Sequence, residues 1–307
     1  MKRHDNKILI GPSSFAAVDK MPLNSLLATG FEVVNNPFGR KLTKKELIDL
    51  LPGVTGLIAG LEPLDREVME LSDLKVISRC GSGVSNVDQE AARNLGITVC
   101  STPDGPTNSV AELTVGVLLS LLRSVPAMDK ALHNNVWDKR IGVELCGKTV
   151  LLIGFGKIGQ RVSELMKPFQ VTIVASDPFL SGKVGDVNIL PLEQALRLAD
   201  IVSIHASGVN EILGEREFSI MKNGVFILNA ARGGLIDEDC LVSGLESGKI
   251  TAAWLDSYSQ EPYSGPLTRF SQVILTPHIG SYTQECRLRM ETEAVENLLS
   301  ALAGKVK

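Results

Sequence analysis

The run Lys148-Thr149-Val150-Leu151-Leu152-Ile153 leads straight into Gly154-Phe155-Gly156-Lys157-Ile158-Gly159, in the middle of a 307-residue chain. An apolar, strand-like stretch followed by Gly-x-Gly-x-x-Gly constrains the backbone more than any other segment, because it asks for a tight turn and a close approach. Its central position implies that another folded region precedes it. Glycines at this spacing also occur in plain loops, so the surroundings decide. Ile158, Val162, Leu165 and Met166 follow with helical spacing, and the run Val171-Thr172-Ile173-Val174 then leads to Asp177, 18 residues past Gly159.

Each glycine has its own mechanical reason. Gly154 permits the turn, Gly156 lets backbone approach a pyrophosphate, and Gly159 lets the helix pack closely on the strand, while the helix N-terminus offers unpaired amides to phosphates. A dinucleotide fits this unit. Asp177 would accept hydrogen bonds from the adenosine ribose, and a 2′-phosphate there would meet a like charge costing up to about 4 kcal/mol. NAD is therefore expected over NADP. The alternative for Asp177 is an ordinary strand-end turn before Pro178.

At 44% hydrophobic and 21% charged residues, the chain has material for two cores, and its length suggests two domains. A net charge of −4 without basic clusters argues against nucleic acid or an anionic membrane as a main partner. The start, Met1 to Lys7, leads into a short apolar run that lacks the length of a secretory signal, and Glu112 interrupts the longest apolar stretch, Val110 to Leu122. A soluble, cytoplasmic protein is expected. The five cysteines, at 80, 100, 146, 240 and 286, lie far apart and indicate neither a zinc site nor a disulfide framework. Of four histidines, His4 and His133 read as surface residues, whereas His205 and His278 follow strands.

Before the glycine turn, short apolar runs alternate with helical stretches: strands near 8–10, 31–34, 56–59, 75–78 and 97–99, helices near 22–29, 43–50, 64–71 and 88–95. That order implies a parallel sheet with helical crossovers. Ser109 to about Ala131 reads as one long helix, apolar nearly all round at its start and so buried between domains or subunits. Further strands are expected near 201–204, 225–228, 251–255 and 273–275, and a last helix over 283–303 that returns to the first domain. The expected fold class is α/β, two doubly wound parallel-sheet (Rossmann-like) domains. The first is discontinuous, 1–101 with 282–307, and the second spans 102–281.

Three strand ends of the second half carry candidate chemistry. Arg232 follows Leu228-Asn229-Ala230-Ala231, Glu261 follows Asp256-Ser257-Tyr258-Ser259-Gln260, and His278 follows Leu275-Thr276-Pro277. Open parallel sheets bind ligands at such ends. Arginine can clamp a carboxylate through two parallel bonds, histidine titrates near neutrality, and an adjacent carboxylate orients an imidazole and favours its charged form. Singly, each has a plainer reading as a surface cation, a solvated loop charge or a structural imidazole. Jointly, beside a dinucleotide turn, they make an acid–base site.

The set Gly154 to Gly159, Asn229 to Asp237, Asp256 with Glu261-Pro262, and Thr276-Pro277-His278-Ile279-Gly280 resembles the D-isomer-specific 2-hydroxyacid dehydrogenases, particularly their phosphoglycerate dehydrogenase branch, over nearly the whole chain. Arg79 to Asp88 and Asn108-Ser109-Val110-Ala111-Glu112 extend the likeness. The resemblance implies that Arg232 holds the substrate carboxylate and carbonyl oxygen, that His278 exchanges a proton with the C2 oxygen, and that Glu261 pairs with His278. It further implies substrate contacts from Ser82, Gly83 and Asn108. Cofactor contacts are implied from Gly154, Gly156, Lys157, Ile158, Gly159, Asp177, His205, Ala230, Arg232 and Asp256, the last toward the nicotinamide carboxamide. NAD as cofactor, no metal, a small 2-hydroxy or 2-oxo acid as partner, and a homodimer or tetramer built on the long helix follow in the same way. So does closure of one domain over the other, with hinges near 100–105 and 281–283.

Two departures bear on this. The branch tends to carry an arginine for the substrate phosphate after the third strand, where this chain reads Ala59-Gly60-Leu61-Glu62-Pro63. The loop after His205 is short of the usual pattern, so its cofactor contacts are not assigned. Three readings follow: a 3-phosphoglycerate dehydrogenase-like enzyme, a glyoxylate or hydroxypyruvate reductase without a phosphate pocket, and a non-enzymatic dinucleotide-sensing corepressor. The end at Lys307, without partner-binding tail or regulatory domain, counts against the corepressor and against feedback by serine.

Overall fold

The computed structural model describes residues 7–208 and 210–305, so His4 lies outside the described residues. The chain divides into two compact units, one running up to Pro106 and resuming at Ser281, the other Thr107–Gly280. The first boundary thus lies at the end of the loop after the strand Thr98–Ser101 rather than at 101, and the second falls at Ser281, one residue before the expected 282.

In the first unit, β1 (Lys7–Ile10), β2 (Glu32–Asn35), β3 (Val54–Ala59), β4 (Val76–Arg79) and β5 (Thr98–Ser101) form a parallel sheet ordered β2-β1-β3-β4-β5. The crossovers are α1 (Met21–Leu27), α2 (Lys44–Leu50), α3 (Arg66–Glu70) and α4 (Gln89–Asn94). Side chains of Thr43, Asp65 and Asp88 accept from the amides of Glu46, Val68 and Ala91 and so start the last three helices. A parallel sheet needs both faces covered. Leu9, Leu57 and Ile77 pack with Leu47 and Val68 on one side, while Ile8, Ile10, Ile58 and Val76 pack against Met290, Ala294, Val295 and Leu298 on the other. Those four belong to the C-terminal helix, Gln284–Leu302. One turn apart on its buried face, Arg287 donates to Glu291 (2.6 Å) and to the Ser14 hydroxyl, and Glu291 accepts from Ala16 N (2.9 Å). This pair ties down the loop after β1.

The second unit opens with α5 (Thr107–Leu122) and α6 (Val125–His133), where the sequence suggested one helix. They meet at 65°. Ser124 is left-handed (φ 50°), and Pro126 in the first turn of α6 lacks the amide that continuation would need. Then follow β6 (Thr149–Ile153), α7 (Lys157–Met166), β7 (Thr172–Ser176), β8 (Gly182–Val184), β9 (Val187–Ile189), α8 (Leu192–Leu198), β10 (Ile201–Ile204), α9 (Glu215–Ile220), β11 (Val225–Asn229), α10 (Glu238–Glu246), β12 (Ile250–Leu255) and β13 (Val273–Leu275). The sheet order is β13-β12-β11-β10-β6-β7-β9-β8, parallel throughout except for the β8–β9 hairpin. One stripe of α5, including Ala111, Leu118, Leu121 and Leu122, packs with Val150, Leu152 and Trp254. No single helix among the described residues is long and apolar enough to cross a membrane; α5 and α6 meet that test only as the bent pair.

Both sheets reverse direction once, between β1 and β3 in the first and between β6 and β10 in the second. Ligand crevices of open α/β sheets form beyond the carboxyl ends of strands at such reversals.

Candidate active site

In the second unit the reversal lies between the glycine turn after β6 and His205 after β10. Gly154 has φ +88°, and a Cβ on it would stand 2.6 Å from Ala206 Cα, so both conformation and space demand glycine. A Cβ on Gly159 would come within 2.3 Å of the Gly154 carbonyl oxygen. Gly156 is different, because none of the described residues beyond its two chain neighbours lies within 4 Å of its Cβ position. It borders open space at the N-cap of α7. Asp177, past the end of β7, accepts from Phe155 N (2.8 Å) and Phe179 N (2.9 Å) and so braces the turn with its own carboxylate.

Lys157 is exposed, Ile158 half-buried in the first turn of α7, and Ala230 half-buried just beyond β11. His205 Nε2 lies 2.9 Å from the Ser203 hydroxyl, whereas Nδ1 is buried without a partner among the described residues. Burial pulls the His205 pKa down to about 4, so the ring is neutral near pH 7. These residues fit a dinucleotide. The turn leaves room at Gly156, the amides at the start of α7 face that room, and Asp177 is anchored beside it.

The three ionisable residues Arg232, Glu261 and His278 lie on the loops after β11, β12 and β13. His278 Nδ1 sits 3.0 and 3.1 Å from the two oxygens of Glu261. His278 holds φ +55°, a conformation uncommon for a residue with a side chain. Asp256 holds this turn in place. Its Oδ1 accepts from the Thr276 hydroxyl (2.6 Å) and Ile279 N (2.8 Å), and its Oδ2 accepts from Gly280 N (2.8 Å). The Thr276 hydroxyl in turn accepts from Trp254 Nε1 (2.9 Å). Arg232 is half-buried, with its pKa lowered by burial and pushed back up by Glu261, which places that carboxylate in its field. Asn229 shapes the Arg232 loop by accepting from Ala231 N and donating to the Arg232 carbonyl.

Three further sequence candidates sit elsewhere. Asn108, at the start of α5, accepts from Arg161 Nε of α7 (2.8 Å). Ser82 and Gly83 lie in the loop after β4 in the first unit, where Gly81 N donates to the Thr102 hydroxyl (2.7 Å) and the Arg79 guanidinium donates to the Cys80 carbonyl. Glu62 is next to this loop, since Asn86 Nδ2 donates to the carbonyls of both Gly60 and Glu62. Its side chain is buried over Gly11 and Gly60 and accepts from Gly60 N (2.8 Å). Burial raises its pKa above the usual carboxylate range, against the Gly60 amide and the Arg79 charge.

The roles of Asp256 and Thr276 in bracing the histidine turn were not read from the sequence. The Thr-Pro-His-Ile-Gly segment carried the only signal, and its partners come from β12.

Residues 115–280 match the D-isomer specific 2-hydroxyacid dehydrogenase, NAD binding domain. The chain belongs to the D-isomer specific 2-hydroxyacid dehydrogenase family, and its second unit is the family's NAD-binding domain. Among its relatives is a D-3-phosphoglycerate dehydrogenase of Methanocaldococcus jannaschii, 37% identical over 86% of this chain and 53% of that protein. Across three such relatives the chain spans between 53% and 58% of their length. Among solved structures, the TT0316 protein from Thermus thermophilus is 34% identical with a TM-score of 0.89, covering 97% of both chains. A glyoxylate reductase from Paecilomyes thermophila is 27% identical with a TM-score of 0.86, over 97% of this chain and 95% of that one.

Proposed function

We propose that this chain is an NAD-dependent oxidoreductase interconverting a 2-hydroxy acid and its 2-oxo acid, with Arg232, Glu261 and His278 as its catalytic residues. The carrying observation is the His278–Glu261 pair on neighbouring strand-end loops of an NAD-binding domain, with Arg232 on the loop after β11, the strand paired with β12. When bound, NAD takes up or returns the hydride of the substrate's C2. The chain's residues do the remainder. His278 Nε2 moves a proton to or from the C2 oxygen, and Glu261, bonded at Nδ1, fixes the ring's orientation. Arg232 binds the substrate carboxylate and polarises the C2 oxygen. Ser82 and Gly83 amides are proposed as further carboxylate donors, and Asn108 as a substrate contact.

The cofactor is proposed to lie along Gly154, Gly156, Lys157, Ile158 and Gly159, with its ribose on Asp177. Lining residues are His205, Ala230 and Asp256, whose carboxylate would also accept from the nicotinamide carboxamide. The charge of Asp177 disfavours a 2′-phosphate and so selects NAD over NADP.

Likeness to D-3-phosphoglycerate dehydrogenases supports 3-phosphoglycerate as the hydroxy acid. A second reading, an unphosphorylated acid such as glyoxylate or hydroxypyruvate, is favoured by Glu62, whose carboxyl fills the space over Gly11 and Gly60 at the first sheet's reversal. A dianion there would meet an acid. The deciding assay offers NADH with 2-oxo acids that carry or lack a distal phosphate and follows nicotinamide absorbance. Turnover that survives His278→Ala within tenfold sinks the catalytic assignment, since loss of a general acid costs about 10²–10⁴-fold. No NADH oxidation with any member favours the sensing protein.

We also place the protein in the cytoplasm, as a homodimer built on α5 and α6. Val125, Leu132, Val136, Trp137 and Ile141 expose an apolar stretch along α6 and the segment after it, as an interface would. A monomer by light scattering would overturn that assembly.

A further inference from the structure

Beside the acid–base pair stands a phenol that the reaction itself does not require. The Tyr258 hydroxyl, on the loop after β12, shares its one proton between the carbonyls of Leu255 (3.0 Å) and Thr276 (3.0 Å). Leu255 ends β12, and Thr276 is the first residue after β13, two before His278. A single hydroxyl therefore joins the strand end that leads to Glu261 with the one that leads to His278. The same residue's backbone N–H donates to Glu261 Oε1 (3.1 Å), and its ring stacks on Tyr263 with centroids 4.4 Å apart. From a third side, the Cβ position of Gly233, next to Arg232, lies 2.0 Å from the Tyr258 carbonyl carbon, so the arginine loop packs directly on this backbone.

We propose that Tyr258 is a positioning residue, setting the spacing between the Glu261 and His278 loops through its hydroxyl. This rests on the assignment of those two as the acid–base pair. The hydroxyl is suited to the task. Burial and the neighbouring Asp256 charge push its pKa up to about 12, so it remains a donor throughout the working range. Its loss would orphan neither carbonyl, because Leu255 O also accepts from Thr276 N (3.1 Å) and Thr276 O from His278 N (2.9 Å). Removing the hydroxyl thus loosens the link while leaving the strand ends bonded and the ring stack in place.

The test is Tyr258→Phe, read in two ways on the whole protein. By kinetics, kcat falls about tenfold, as displacement of a catalytic group by a fraction of an ångström implies, while KM for NADH stays within about twofold. By NMR, with the resonance assigned through His278→Gln, the His278 Nδ1–H proton moves upfield as its contact with the Glu261 carboxylate lengthens. A parent-like Nδ1–H resonance overturns the proposal, as does parent-like kcat. The NMR reading needs no substrate, so it decides the role of Tyr258 even if the acid panel finds no turnover and the reading of the reaction fails.

Discussion

The two units use the same device, a parallel sheet whose strand order reverses once, and treat the resulting crevice in opposite ways. At the reversal of the second unit, glycines withhold side chains, and Gly156 in particular has none of the described residues beyond its two chain neighbours within 4 Å of its Cβ position. At the reversal of the first, Glu62 covers Gly11 and Gly60, where an added Cβ would lie 2.1 and 2.9 Å from its carboxylate oxygens. Topology offers a place to bind at both reversals; the residues decide which stays open. The buried ionisable groups differ too. Burial raises the pKa of an acid in the first unit, Glu62, and lowers that of a base in the second, His205.

The largest effects should come from the glycines themselves. In Gly159→Ala the new methyl collides with the Gly154 carbonyl, a backbone atom that cannot swing aside, so thermal denaturation should show a loss of about 2–3 kcal/mol. Gly156→Ala should cost no more than about 1 kcal/mol, the N-cap preference for glycine over alanine, since φ −73° suits alanine and the space is open, yet weaken NADH binding about tenfold or more by fluorescence titration. Equal losses of Tm in the two variants would show that Gly156 also serves packing, and the contrast between open and filled crevices would collapse.

The next effect is a pH dependence carried by His205. Its folded pKa lies at about 4, below the ordinary 6.5, so the unfolded chain binds more protons between those values. Stability from keeping the ring neutral is complete above pH 6.5 and lost as pH falls toward 4, by about 3 kcal/mol at most. His205→Gln removes the titration and should hold its stability better than the parent across that window. Parallel denaturation curves for the two proteins from pH 7 to 4 would mean that His205 takes up its proton without hindrance.

What was legible in the sequence follows from where its determinants lie. The glycine turn could be read because the backbone permits few residue types there, and Glu261 and His278 because each lies on a loop that follows an apolar strand. The break at Ser124 had a visible cause in Pro126, but the apolar pattern continuing to Ala131 hid it. The β8–β9 hairpin is too short to show periodicity. Asp256, Thr276 and Tyr258 act on the histidine turn through partners about 20 residues away, and Arg287 and Glu291 reach Ser14 and Ala16 from the far end of the chain. No local pattern encodes such contacts. Glu62 was noticed as an acid where a cation was expected, whereas its inward turn over Gly11 depends on the pairing of β1 with β3.

Glu62→Gln gives the smallest and most discriminating shift. Because burial raises the folded pKa of Glu62 above its unfolded value, the folded chain holds the proton more tightly. That contribution is fully present below the ordinary carboxylate pKa and is lost as pH rises through the raised folded value. Glutamine keeps an oxygen for the Gly60 amide and never ionises. Calorimetry should therefore find parent and variant alike in acid and the variant ahead by about 1 kcal/mol near neutrality. A variant that is instead less stable near neutrality would mean that the Arg79 charge outweighs desolvation, so that Glu62 is an ionised partner of Arg79 and the filled crevice keeps its negative charge.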